Sequence, residues 1–190
     1  VELDGKGTPI VLHASLSHAN REAYRLTVCA DSIVINGASA AGTFHGITTL
    51  RKSLPQSPSQ QVALPAATIT DAPRFAYRGM MFDVSRHFYG VNEVKQFIDM
   101  LALHNMNTFH WHLTDDQGWR IEIKKYPRLT EVGSVRKGTV IKKNWGQADG
   151  IPYGGYYTQD DIREIINYAG SKGITVIPEI DLPGHMLAAL

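Results

Sequence analysis

The feature that most restricts this chain is the rhythm of its second half, where three short apolar runs alternate with two amphipathic helical stretches. Gly79 to Val84 is almost wholly apolar and reads as a strand buried on both faces of a parallel sheet. A helix follows, with Val94, Phe97, Ile98 and Leu101 on one stripe. Asn107 to Leu113 reads as a second strand, and a long loop then runs from Thr114 to Tyr157. Thr158 with Asp161 three residues on marks the start of the next helix, as a capping box. Ile162, Ile165, Ile166 and Ala169 make its expected buried stripe, and Gly173 suits its C-terminal end. Ile174 to Ile180 is the third strand. Strand, helix, strand, helix, strand calls for right-handed parallel crossovers, so the fold class is α/β.

Two architectures begin this way, and the polar residues choose between them. Asp83 to Arg86, Asp115-Asp116 and Asp181 to His185 each lie at or just beyond the C-terminal end of a strand. A (β/α)8 TIM barrel builds its site from that edge. A dinucleotide-binding sheet would put a glycine-rich phosphate loop after its first strand. Ser85-Arg86-His87-Phe88-Tyr89 stands there instead. The start of a barrel is therefore expected over residues 73–190. A whole barrel takes about 250 residues, so only about three strands are present and the sequence is expected to be a fragment.

Residues 1–72 have a different character and read as a small α+β domain. Tyr24 to Val28 and Ser32 to Ile35 alternate apolar and polar around Ala30-Asp31, the pattern of a β-hairpin. Ala38 to Leu50 reads as a helix on that sheet, with Ala40, Phe44, Ile47 and Leu50 at helical spacing. Gly42 and Gly46 either weaken it or mark a close helix–sheet contact. Pro55 to Gln61 is a loop and Val62 to Ile69 a returning strand, before the turn-like Asp71-Ala72-Pro73-Arg74.

Composition removes several functions. The formal net charge is +1, which gives no basic field for a nucleic-acid backbone or an anionic membrane. No apolar stretch approaches a membrane span, and no signal segment opens the chain. Cys29 is the single cysteine, so no intrachain disulfide forms. Its apolar neighbours predict a buried thiol.

Four sets of residues carry possible chemistry. The forked donors of Arg86 could bridge adjacent sugar hydroxyls, or could pair with Asp83 or another carboxylate of the barrel. His185 beside Asp115 could be held in one tautomer and tune a neighbouring acid, or could simply stabilise its turn. His110 and His112 share a strand face and could hold zinc with Asp115 and His185, although core or supporting histidines are favoured. Trp119, Trp145, Tyr153, Tyr156 and Tyr157 in the long loop could stack on sugar faces or pin the loop.

Phe82 to Phe88, His110 to Arg120 and Pro178 to His185 together resemble the opening three strands of the catalytic barrel of family 20 glycoside hydrolases, the β-N-acetylhexosaminidases. The preceding α+β unit resembles the domain in front of that barrel. The resemblance implies hydrolysis of terminal β-linked N-acetylhexosamine, without metal or other cofactor. It implies that Arg86 binds the 3- and 4-hydroxyls of the sugar, and that Asp115 and His185 support a glutamate general acid, with Asp116 serving the loop. It also implies substrate-assisted retention, with an Asp-Glu pair at the end of the fourth strand. No Asp-Glu dipeptide occurs in the 190 residues, so that pair is expected after Leu190 and the fragment alone is expected to be inactive. A secreted, periplasmic or lysosome-like setting is implied as well. A zinc-dependent barrel hydrolase and a non-catalytic carbohydrate-binding relative are the alternatives.

Overall fold

The computed structural model describes residues 7–57, 61–142 and 144–190, and no side chain is described for Trp145. Part of the loop expected from Pro55 to Gln61 thus lies outside the described residues, as does the Trp145 ring. The chain divides into two compact units, Val1–Arg78 and Gly79–Leu190.

In the first unit, strands Ile10–His13 (β1), Tyr24–Val28 (β2) and Ile33–Gly37 (β3), helix Ala40–Ser53 (α1) and strand Ala67–Asp71 (β4) follow in order. The sheet order is β1-β3-β2-β4. The expected hairpin is present, with Leu26 opposite Ile35. Tyr24, Leu26, Ile33, Ile35 and Leu50 form the core. The helix packs through its glycines rather than through the expected stripe, of which Leu50 alone is buried. A Cβ on Gly42 would stand 2.2 Å from the Ala23 carbonyl oxygen, and one on Gly46 2.4 Å from Ile35 Cγ2. The close approach that seats the helix rotates Ala40 and Ile47 outward to solvent. Ser39 caps it by accepting the Gly42 N–H.

Two expectations change here. Cys29 is exposed, because β2 ends at Val28 and Cys29 opens the turn, where its N–H bonds the Ser32 carbonyl at 2.8 Å. The returning strand starts at Ala67 rather than Val62, beyond Pro65, because it pairs only the five residues of β2, Val28 with Ala67 through Tyr24 with Asp71.

In the second unit, Gly79–Asp83 (β5), Val91–Leu103 (α2) and Thr108–His112 (β6) open the order. The segment expected as a long loop contains Thr114–Asp115 (β7), Gly118–Trp119 (β8), Arg128–Glu131 (α3), Val135–Arg136 (β9), Val140–Ile141 (β10), Asn144–Ala148 (β11) and Tyr153–Gly154 (β12). Backbone pairing of β7 with β8, β9 with β12 and β10 with β11 satisfies polar groups that an irregular loop would leave to water. Gln159–Ser171 (α4) and Thr175–Glu179 (β13) complete the βαβαβ pattern.

Strands β13, β6 and β5 make a parallel sheet in that order. Central β6 is buried, with Phe109 and Trp111 fully covered. Burial on both faces does not hold for β5: Phe97 of α2 stacks on Phe82 at 4.5 Å, but Met80 and Met81, on this edge strand, are exposed. The Thr158–Asp161 capping box forms as expected, and Gly173 takes φ +71° after α4. The α4 stripe is narrower than expected. Ile165 and Ala169 are buried while Ile166 is exposed, and polar pairs also connect this helix to α2: Tyr168 donates to Asp99 at 2.8 Å and Lys172 meets it at 2.9 Å. Among the described residues, no helix is long and apolar enough to cross a membrane.

Candidate active site

Asp83, His112 and Glu179 are register partners in one row across the three parallel strands, each the last residue of its strand. The row fixes where the polar side chains meet. Asp83 Oδ1 accepts the N–H groups of Ser85 and Arg86 at 3.0 and 3.1 Å, a turn that brings Arg86 back over the strand end. Arg86 Nη1 then pairs with Asp83 Oδ2 and Nη2 with Asp115 Oδ2, both at 2.7 Å. The ion pair weighed as the alternative for Arg86 is thus present, extended to a second carboxylate. Its side chain is still 40% exposed.

Asp115 is almost fully buried at the start of the β7–β8 turn. Its two oxygens divide their partners. Oδ2 takes Arg86 and His112 Nε2, the latter at 3.0 Å. Oδ1 accepts the Asp116 N–H at 2.7 Å and faces His185 Nδ1 at 3.3 Å. Burial alone would raise the Asp115 pKa, but the Asp116 N–H, His112, Arg86 and His185 together hold it below the ordinary value. Asp115, His185 and Arg86 are therefore connected through one carboxylate. Asp116 instead accepts the Leu187 N–H at 3.1 Å, tying the two loops together.

Two further members complete this cluster: His112, expected as a core or supporting histidine, and Glu179, to which the sequence assigns no role. His112 is buried, and its Nδ1 lies 2.9 Å from Glu179 Oε2, an ion-pair distance rather than an aligned hydrogen bond. Burial disfavours a charged His112, yet the contacts with Glu179 and Asp115 raise its pKa above the ordinary value. Glu179 is correspondingly lowered, chiefly by His112. The same Glu179 oxygen also takes His110 Nε2. The equal distance of Asp83, His112 and Glu179 from their strand ends was the signal available for finding this row.

Arg120 carries no sequence signal of its role. It is fully buried, and it reaches the carbonyls of Ser85, Gln117, Ser134 and Gly155. Burial lowers its pKa to about 10. Carbonyls from the two segments that follow β5 and β6 thus close on one guanidinium. Of the loop aromatics, Trp119 is buried and donates to the Ile121 carbonyl at 2.7 Å, and the Tyr153 hydroxyl donates to the Phe88 carbonyl at 2.9 Å. Tyr157 is buried, donates to the Tyr89 carbonyl and has its pKa raised by burial. These three pin the loops, while Tyr156 is exposed.

Among the described residues, two groups have metal-ligand spacing: His112, Asp115 and Asp181, and Asp115, Asp116 and His185. His110 belongs to neither, and Arg86 occupies the shared Asp115 beside both. The donor set thus does not join His110 and His112 in one site, and a cation there would sit against a guanidinium.

Comparison with known proteins gives this geometry its family. Residues 75–190 match the catalytic domain of glycosyl hydrolase family 20, and residues 3–72 match domain 2 of the same family. The chain belongs to glycosyl hydrolase family 20. Within the family it is similar to a beta-hexosaminidase of Porphyromonas gingivalis, 49% identical over 89% of this chain, and to one of Vibrio furnissii, 47% identical over 88%. It spans only 21% and 27% of those two proteins' lengths. Among solved structures, the family 20 β-N-acetylhexosaminidase of Streptomyces coelicolor A3(2) is 43% identical and aligns over 95% of this chain and 36% of its own, with TM-score 0.83. A Vibrio harveyi family 20 exo-β-N-acetylglucosaminidase in complex with N-acetylglucosamine is 41% identical and aligns over 98% and 29%, with TM-score 0.78.

Proposed function

We propose that this family 20 chain is the recognition and support side of a β-N-acetylhexosaminidase site that removes terminal, non-reducing N-acetylhexosamine from β-linked glycosides. The observation that carries the reading is the carboxylate of Asp115, shared between Arg86 and His185 at the ends of parallel strands. On this reading the three strands begin a (β/α)8 barrel over residues 73–190, and residues 1–72 are the small α+β domain before it.

Each residue then has a task. The exposed part of Arg86 donates to adjacent hydroxyls of the sugar, with its geometry held by Asp83 and Asp115. Asp115 holds His185 by Nδ1, leaving Nε2 free to face a glutamate general acid. The substrate's own acetamido oxygen attacks the anomeric carbon, so the protein needs no nucleophile of its own. The Asp-Glu pair that orients the acetamido group and protonates the leaving oxygen would come from sequence after Leu190. The test is release of a chromogenic leaving group from a β-N-acetylglucosaminide. Full-length protein is expected to turn it over and the 190-residue chain is not. An inactive full-length protein, or an active 190-residue chain, would contradict the proposal.

A further inference from the structure

We propose that Glu179 and His112 act as a positioning pair, with Glu179 holding the His112 imidazolium against Asp115 Oδ2 so that Oδ1 stays directed at His185. The inference rests on the function proposed above and adds to it two residues that neither touch the sugar nor supply the acid.

The geometry begins with the sheet row. Parallel register sets Glu179 beside His112, and the buried imidazole has a carboxylate at each nitrogen: Glu179 Oε2 at 2.9 Å from Nδ1 and Asp115 Oδ2 at 3.0 Å from Nε2. A neutral imidazole carries no charge to offset the two carboxylates, whereas the imidazolium is attracted by both. Arg86 Nη1 also lies 3.1 Å from Nε2. Guanidinium and imidazolium are both donors, and the negative charge that offsets this approach comes from Asp83, paired with Arg86, and from Asp115 Oδ2, which meets both cations.

The groups facing His112 include three strand-end carboxylates: Asp83 from β5, Asp115 from β7 and Glu179 from β13. Asp181, after β13, is within ligand distance of His112 and Asp115. Arg86 is the nearby cation. His110 shares the Glu179 oxygen, and His185 reaches the cluster only through Asp115 Oδ1. Carboxylates outnumber fixed cations around the ring, in keeping with its raised pKa. Both Asp115 oxygens are then committed, Oδ2 to two cations and Oδ1 to the turn N–H and His185, which leaves the carboxylate little freedom to rotate.

Two measurements on full-length protein test the pair. Histidine ring shifts followed by NMR across pH are expected to give His112 a midpoint above the ordinary 6.5, and Glu179→Gln is expected to lower it. On a chromogenic β-N-acetylglucosaminide, Glu179→Gln and His112→Gln are each expected to lower kcat about tenfold or more with KM changed less than about threefold. The double variant is expected to lose no more than the worse single one, since the two residues work as a unit. A wild-type midpoint at or below 6.5, a midpoint that ignores Glu179→Gln, or strictly additive kinetic losses would overturn the inference. Because the wild-type titration needs neither a variant nor turnover, an inactive enzyme with a high His112 midpoint would sink the hydrolase reading and leave the ion pair standing.

Discussion

His185 Nδ1 lies 3.3 Å from Asp115 Oδ1 across 70 residues of sequence, and the carboxylate between the histidine and Arg86 is almost wholly buried. An ionised group in that position is held by its donors. Asp115→Asn keeps the shape and removes the charge. The loss of a negative charge near a glutamate acid makes that acid easier to ionise. The basic limb of the full-length enzyme's pH–rate profile is therefore expected to move to lower pH. An unmoved limb would show that Asp115 does not act on the acid.

The same carboxylate sets a pH dependence of stability. Its folded pKa lies below the ordinary 3.8, so its contribution is present above that value and disappears as pH falls through the depressed one. Asp115→Asn is expected to lower Tm at neutral pH and to cost progressively less as pH drops below about 4. Melts at pH 7 and pH 3 would check the sign.

Arg86→Ala removes charge-assisted hydrogen bonds worth roughly 1.5–3 kcal/mol each. Catalytic efficiency of the full-length enzyme is expected to fall at least tenfold. Circular dichroism should remain native, since this side chain is partly exposed. Unchanged kinetics would reduce Arg86 to the ion-pair partner of Asp83 and Asp115.

Packing offers two stability tests. Gly46→Ala drives a methyl group into Ile35 and Tyr24 and is expected to cost about 1–3 kcal/mol in denaturant unfolding. Arg120→Met strands the carbonyls of Ser85, Ser134 and Gly155 and is expected to cost at least about 3 kcal/mol. Arg120→Lys would recover little, because an ammonium cannot reproduce the fork.

The βαβαβ order was legible because helix and strand periods differ, and because Thr158 and Asp161 carry their own start signal. Helix faces were less so. In α1 the residues that decide the face are Gly42 and Gly46, which contribute closeness rather than hydrophobicity, so an apolar stripe points the wrong way. Exposure of Met80 and Met81 depends on strand order, which local pattern does not encode. Arg86, Asp115 and His185 stood out through their motifs. His112 stood out as a core or supporting histidine, but its meeting with Glu179 did not, because it depends on parallel register between strands far apart in sequence. Arg120 was hidden by chemistry: its partners are backbone carbonyls, which every sequence has.

The proposed site recognises an N-acetylhexosamine and lets its acetamido group do the nucleophile's work. It is tested most directly by comparing kcat/KM of the full-length protein on two chromogenic β-glycosides, one of N-acetylglucosamine and one of glucose. Loss of the internal nucleophile forfeits an effective molarity of about 10⁵ M or more, so the glucoside is expected to react at least a thousandfold more slowly. Comparable turnover of the two substrates would show that the acetamido group is not the nucleophile.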